Sequence, residues 1–264
     1  MQKQRLDTFL VEKDFCQSRQ QAIGLIRAGW VKVNQRVIDK PGTEIPIEAT
    51  IEIFSKPPYV SRGGEKLAKA IAEFKIVVSD RICLDGGIST GGFTDCLLQN
   101  GAKLVYGVDV GYGQVAWELR QDSRLILKER SNFRYLQPED LYGGETPANL
   151  GVMDLSFISL TKVLPTLWEL LIPPKEVILL VKPQFEVGRE QIGKKGVVRD
   201  RLAQGQAINT VLQAALDLGW QYRGLTNSPL TGPAGNLEYL LWLHLESNLA
   251  PPNLNEIHSF CKSV

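Results

Sequence analysis

The chain has 264 residues, 44% of them hydrophobic, enough to bury a full core and to divide into one standard domain plus a small one. A formal net charge of +1 excludes a uniformly basic protein, so any nucleic-acid surface has to be a local patch. Four scattered cysteines (Cys16, Cys83, Cys96, Cys261) exclude a disulfide framework and a zinc site, no metal is expected, and a reducing cytoplasm fits.

The N-terminal run MQKQRLDTFLVEKD lacks a signal-peptide core, and the longest apolar runs, such as Val177 to Val181, are of strand length. The chain is therefore expected neither to span a membrane nor to be secreted. Up to about Phe54, Leu6, Phe9, Leu10 and then Ala22, Ile23, Ile26 recur at helical spacing, and Val31, Val33, Val37 and Ile51, Ile53 alternate as strands do. Ser18 is read as an N-cap, Gly29 as a helix stop, and VKVNQRVI as a hairpin turning at Asn34 and Gln35. Seven cations against Asp7, Glu12 and Asp14 give the first 36 residues the local positive excess that a phosphate-tracking surface needs. RLDTFL, SRQQAIGLIRAGWVKVN and Pro41-Gly42 together resemble the small αL-type RNA-binding module of a ribosomal protein family, pseudouridine synthases and tyrosyl-tRNA synthetases, with matches at Arg5, Ser18, Arg19, Ala22, Gly29, Val31, Val33 and Asn34. That resemblance implies structured-RNA binding, with Arg5, Arg19, Arg27 and Lys32 as phosphate partners.

SKPPYVSRGGEKL carries two prolines and two glycines and is read as a linker. Lys66 then opens an amphipathic helix with Leu67, Ala70, Ile71 and Phe74 on one face. From Arg81 onward, strand candidates (LVYGVDV, RLILKER, ANLGVMD, EVILLVK, WQYRGLT, EYLLWLHL) alternate with helical stretches such as Leu160 to Leu171 and Arg201 to Leu218. That rhythm predicts an α/β fold, a doubly wound Rossmann-like sheet preceded by a small α+β domain. The expected divisions are an RNA-binding domain at 1–56, a linker at 57–64, a catalytic domain at 65–250 and a C-terminal tail at 251–264.

In LDGGISTGGFT, Asp85 ends an apolar run, and the glycines Gly86, Gly87, Gly91 and Gly92 interleave with Ser89 before a helix begins near Phe93 and Thr94. A strand feeding such a turn lets backbone N–H groups approach a cofactor where Cβ atoms are missing. The stretch is neither G-x-G-x-x-G nor a phosphate-binding P-loop. Asp109, ending the next strand, stands where a doubly wound fold places a carboxylate on a ribose hydroxyl pair. Acid, glycine turn and second acid suggest S-adenosylmethionine.

Lys66, Asp154, Lys182 and Glu238 then form a set, the last three at strand ends. In such a set the neighbouring ammonium and desolvation can lower one lysine's pKa while the carboxylates hold its geometry, letting it deprotonate or orient a sugar hydroxyl. The region from Tyr59 onward resembles the FtsJ-like ribose methyltransferases, and the whole chain resembles the TlyA family, also called hemolysin A. The matching pieces are YVSRGGEKL, LDGGISTGGFT, YGVDVGYGQ, ERSNFRYL, MDLSFISL, LLVKPQFE, GVVRD and SPLTGPAGNLEYL. The resemblance implies Lys66, Asp154, Lys182 and Glu238 as catalytic. It implies cofactor contacts at Asp85, Gly86, Gly87, Ser89, Gly91, Gly92, Phe93, Thr94, Asp109, Asn132, Phe133 and Asp154. The substrate it implies is the ribose 2′-hydroxyl of a ribosomal RNA cytidine, with no membrane and no obligatory protein partner. Arg62, Lys194, Lys195 and Arg199 complete the expected RNA contacts.

Two departures from the family pattern stand out. Gly86 replaces a commoner apolar residue, which would loosen the turn, and Lys195 interrupts a loop that usually reads GKGG. The competing readings are an RNA-binding or ribosome-assembly protein, a pore-forming hemolysin, and a base-directed methyltransferase. The last would need a [DN]-P-P-[FY] turn where this chain has DLSF, or a reactive cysteine such as Cys96.

Overall fold

The computed structural model describes residues 3–16, 18–27, 29–53 and 58–264. It falls into two compact units, Met1–Pro58 and Tyr59–Val264.

The first unit runs β1 (Lys3–Arg5), α1 (Leu6–Glu12), α2 (Arg19–Arg27), β2 (Val31–Val33), β3 (Arg36–Val37), β4 (Glu44–Pro46) and β5 (Ile51–Ile53). The Ser18 hydroxyl accepts from Gln21 N at 3.2 Å, capping α2. Asn34 and Gln35 both take left-handed φ, 49° and 66°, the pair of values a tight hairpin turn demands. Leu6, Phe9, Leu10, Ala22, Ile26, Val31, Val33 and Ile45 close a small core. At its edge Asp7 is wholly buried, and both Arg5 and Arg19 fork onto it with closest N···O distances of 2.9 Å.

The second unit adds α3 (Gly63–Phe74), β6 (Ile82–Gly86), α4 (Gly92–Gln99), β7 (Leu104–Val108), α5 (Trp117–Arg120), β8 (Leu125–Lys128), α6 (Pro138–Tyr142) and β9 (Leu150–Met153). Then follow α7 (Leu164–Leu170), β10 (Glu176–Val181), α8 (Pro183–Glu186), α9 (Arg201–Leu218), β11 (Gln221–Asn227), β12 (Tyr239–His244) and α10 (Leu254–Ser263). The sheet order is β11-β12-β10-β9-β6-β7-β8, parallel except that β12 runs antiparallel to both neighbours. Alternation sends Cys83, Val105, Ile178 and Leu240 to the core on one face, and Leu84, Tyr106, Leu179 and Leu241 to the other. Helices cover both faces of such a sheet, and its parallel strands read as unbroken apolar runs for that reason.

Three expectations are corrected. The segment expected as linker at 57–64 is packed structure from Tyr59 onward. Val60 N donates to Asp95 Oδ2 at 2.8 Å, and a Cβ on Gly64 or Gly92 would collide with Tyr59 or Ser61. The helix placed at Lys66 starts at Gly63, and Gly64 carries the close packing against Tyr59 that composition alone makes look like flexibility. The tail at 251–264 contains α10, closed by an Asn253/Glu256 capping box and burying Ile257 and Cys261 against the larger core. Residues 54–57 lie outside the described ones.

Candidate active site

Register gathers the site. Gly86 pairs with Val108 on one side and Met153 on the other, so Asp109 and Asp154 leave the sheet beside the glycine turn. Val181 pairs with Tyr239 across the antiparallel step, which brings Lys182, just past one strand, next to Glu238, just before the other. All four strand-end positions therefore open on one edge of the sheet, the place where doubly wound folds bind ligands.

The glycine turn lies on a cavity wall and packs its bare backbone against the neighbouring strand end. Gly87 and Gly91 take φ of +88° and +100°, and a Cβ on Gly87 would come within 2.6 Å of the Asp154 carbonyl oxygen. Asp109 receives the Ser89 N–H at 2.8 Å on one carboxylate oxygen and the Gly111 N–H at 2.6 Å on the other. These bonds fix the carboxylate and leave lone pairs on both oxygens facing outward.

Two cavities meet here, sharing Gly87, Ser89 and Asp154. One of about 510 Å³ is lined also by Asp109, Gln114, Asn132, Phe133, Ser156 and Phe157. The other, of about 420 Å³, is lined by Ser61, Arg62, Lys66, Phe93, Thr231 and Pro233. Lys66 and Asp154, which line the second, each belong to an ion pair with little solvent access, whose other members, Glu238 and Lys182, stand behind the wall. Lys66 Nζ lies 2.5 Å from Glu238 Oε2, and Lys182 Nζ lies 2.6 Å from Asp154 Oδ1. Lys182 also donates to Ser156 Oγ at 3.0 Å. The expected set of four is thus assembled as two paired cations and carboxylates.

Not every expected cofactor residue reaches a cavity. Gly87, Ser89, Gly92, Phe93, Asp109, Asn132, Phe133 and Asp154 line one or both, whereas Asp85, Gly86, Gly91 and Thr94 stand behind the wall. Asp85 is wholly buried, accepts the Thr94 hydroxyl at 2.7 Å on Oδ2, and finds no partner for Oδ1. Burial pushes its carboxyl up to about 7. Gly86 does not loosen the turn: a Cβ there would sit 2.5 Å from Met153 Sδ and 3.0 Å from the Phe133 ring, so the space is filled from across the sheet. Asn132 also caps the short 3-10 turn after it by accepting from Arg134 N.

The basic residues divide. Arg62 donates to the Thr231 carbonyl at 3.2 Å across the mouth of the second cavity. Lys194, Lys195 and Arg199 are exposed on one loop, and Lys195 holds the left-handed φ of 65° that glycine would take there. In the other unit, Arg5 and Arg19 both bind Asp7, a structural role beside the expected phosphate contact, and their side chains stay half exposed. Lys32 pairs with Glu52 at 3.8 Å, and the Arg27 side chain lies outside the described residues.

Reading the sequence missed Ser156 and Phe157, which follow Asp154 and Leu155. Phe157 is 91% exposed at φ +67°, with its ring 5.4 Å from Phe185. An aromatic held open beside an acidic strand end is visible as DLSF, yet its exposure is a property of the turn. Cys96 is no nucleophile, because burial pushes its thiol up to about 12. Among the described residues no cluster of metal-ligating side chains forms, and no helix is long and apolar enough to cross a membrane.

A seven-stranded sheet with one reversed strand, a glycine turn on its central strand and an acid on the next define a methyltransferase fold. The FtsJ-like methyltransferase model matches residues 59–245 and the S4 domain model residues 4–51. The chain therefore belongs to the FtsJ-like methyltransferase family, and S-adenosylmethionine is its methyl donor. It is 45% identical over 248 residues to the 16S/23S rRNA (cytidine-2′-O)-methyltransferase TlyA of Mycobacterium tuberculosis, covering 93% of this chain and 91% of that one. A solved structure titled "Putative hemolysin from Streptococcus thermophilus" is 42% identical with a TM-score of 0.75, over all of this chain and 96% of the other. Aeropyrum pernix fibrillarin, solved with natively bound S-adenosyl-L-methionine, shares the fold alone. Its identity is 13% and its TM-score 0.51, over 81% of this chain and 94% of that one.

Proposed function

We propose that this chain methylates the ribose 2′-hydroxyl of a cytidine in ribosomal RNA, in the cytoplasm where ribosomes work. The observation that carries the reading is the pair of enclosed ion pairs, Lys66–Glu238 and Lys182–Asp154, set around a cavity that shares Asp154 with the cofactor cavity. The larger cavity fits S-adenosylmethionine, with Asp109 for the ribose hydroxyls and the Gly87 backbone for close approach. When bound, the cofactor supplies an electrophilic methyl group.

The protein's own part is placement and proton handling. The Lys182 amine is held by its ion pair with Asp154 and its hydrogen bond to Ser156 Oγ, immediately behind the Asp154 that lines both cavities. Lys182 assists removal of the 2′-hydroxyl proton as the ribose oxygen takes the methyl group and the donor's carbon–sulfur bond breaks to leave the neutral thioether, and Lys66 with Glu238 orients the ribose. Arg62 and the exposed Lys194, Lys195 and Arg199 supply cations for the phosphate backbone of the RNA.

The test is transfer of radiolabelled methyl to unmodified ribosomal RNA, followed by identification of the modified nucleoside. Lys182→Ala and Lys182→Arg are expected to bind S-adenosylmethionine normally by calorimetry and to lose on the order of 100-fold or more in single-turnover rate, the contribution of a positioned acid–base group. Arginine fails because it is too basic and its planar fork does not fit. Near-normal turnover in either variant would reduce Lys182 to a strand-end lysine.

A further inference from the structure

Asn236 lies two residues before Glu238, is 2% exposed, and binds in two directions through its carbonyl and its side-chain amide. Its backbone carbonyl accepts from Gly232 N at 2.9 Å, closing the loop that ends at Glu238. Gly232 is where that closure matters, because a Cβ there would stand 2.6 Å from Glu238 Oε1. The carboxylate that pairs with Lys66 therefore rests against the bare backbone that Asn236 holds.

In the other direction the Asn236 side chain reaches the basic loop. Its Oδ1 accepts from Val198 N at 2.9 Å and its Nδ2 donates to the Gly196 carbonyl at 2.9 Å. That loop is itself a closed turn, with Gly193 N donating to Val197 O at 3.0 Å, and it carries Lys194 and Lys195 exposed at its tip. One buried amide thus bolts the loop that offers cations to the loop that offers a carboxylate. A side chain of either shorter reach or single polarity would leave a buried donor or acceptor unmet.

We propose that Asn236 is a positioning residue that couples capture of an RNA phosphodiester by the loop at 193–198 to placement of the Glu238–Lys66 pair. The proposal rests on the ribose-methylation reading above and adds the path by which the RNA backbone acts on the reaction centre. A phosphate held by Lys194 and Lys195 fixes the loop, Asn236 transmits that position to Gly232 and Glu238, and Lys66 is then set for the ribose. Small misplacements at a reacting centre cost up to 100-fold in rate, so a bolt this close to Glu238 is expected to matter to the chemical step.

The experiment uses the full chain with unmodified ribosomal RNA at saturating RNA and cofactor. It compares wild type, Asn236→Ala, Asn236→Asp, Lys194→Ala/Lys195→Ala, and the Asn236→Ala/Lys194→Ala/Lys195→Ala combination. Asn236→Ala should keep S-adenosylmethionine affinity, lose about 10- to 100-fold in single-turnover rate, and speed amide exchange at Val198 and Gly232. Asn236→Asp keeps the acceptor for Val198 and should fall between wild type and Asn236→Ala, which also serves if the alanine variant folds poorly. The lysine substitutions should slow the chemical step in wild type and add nothing to it in the Asn236→Ala background. Independent, multiplying effects, or an Asn236→Ala rate within about twofold of wild type, would overturn the coupling. Faster exchange at Val198 and Gly232 with no methylation of ribosomal RNA by wild type would instead sink the substrate reading and leave the bolt standing.

Discussion

Asp7 and Asp85 lie one in each unit, and both are wholly withdrawn from solvent. They differ in company. Hydrogen bonds from Arg5, then the Arg19 guanidinium, hold the Asp7 carboxyl down to about 2 against the cost of its burial. Asp85 has the Thr94 hydroxyl on one oxygen and no partner on the other, so burial dominates and lifts it to about 7, with Asp154 and Asp109 adding repulsion. Closure to solvent alone therefore does not set ionisation: Asp85 lies deep in its unit and Asp7 near the surface of its own, and depth acts together with the count and charge of the partners. The small unit spends two arginines of its basic surface on its own core, whereas the large unit tolerates an under-partnered acid directly behind its cofactor turn.

The largest break in this contrast comes from Arg5→Ala with Arg19→Ala. Removing both partners takes away the charge-assisted hydrogen bonds of Asp7, and because both arginines are half exposed and water can replace them, the cost is about 3 kcal/mol. Amide exchange should rise throughout Leu6 to Leu10, while calorimetry shows S-adenosylmethionine binding unchanged. Adding Asp7→Asn should restore protection without restoring RNA affinity, separating the structural role of the arginines from any phosphate contact. Unaltered exchange in the double variant would show that Asp7 does not need them.

A smaller effect has opposite signs in the two units. Asp7 has a lowered pKa, so its contribution is present above the ordinary value of 3.8 and is lost as pH falls toward about 2, roughly 2 kcal/mol in all. Asp85 has a raised pKa, so its contribution is complete below 3.8 and is lost as pH rises through about 7. Exchange followed against pH should thus loosen the first unit on the acid side and the second toward neutrality. Asp85→Asn should flatten the second trend. A slope unchanged by that substitution would assign the neutral-pH loss to other groups.

What could be read in advance follows from range. Buried parallel strands such as EVILLV announce themselves as apolar runs, and Asp109, Asp154 and Lys182 are legible because each stands one step past such a run. The Arg19–Asp7 ion pair spans 12 positions and no local pattern reports it. YVSRGG looks like a linker by composition, yet Gly64 serves close packing against Tyr59 and Ser61 packs on Gly92, which only the folded neighbours reveal. The C-terminal helix was legible and passed over: Asn253 three positions before Glu256, with Ile257, Phe260 and Cys261 following, is a capping box leading an apolar stripe. Phe157 and Asn236 were not legible, because their importance lies in a left-handed turn and in a bridge between distant loops.

Lys195→Gly gives the smallest expected effect and the finest test of how the large unit spends its charge. Lys195 is exposed and holds φ 65°, a region that costs a side-chain-bearing residue roughly 1–2 kcal/mol and glycine almost nothing. Glycine also gains more freedom in the unfolded chain, so the two effects oppose and thermal stability should move by less than about 1 kcal/mol, upward if strain wins. The lost cation acts differently from either. If Lys195 neutralises one RNA phosphate, the variant should bind unmodified ribosomal RNA more weakly at every sequence context, and the slope of log affinity against log salt should shrink by about one. A stabilised variant with a shallower salt slope would show that strain is kept at this position for the sake of a phosphate contact. A stabilised variant with an unchanged slope would remove Lys195 from the RNA surface and leave Lys194 and Arg199 to carry that loop.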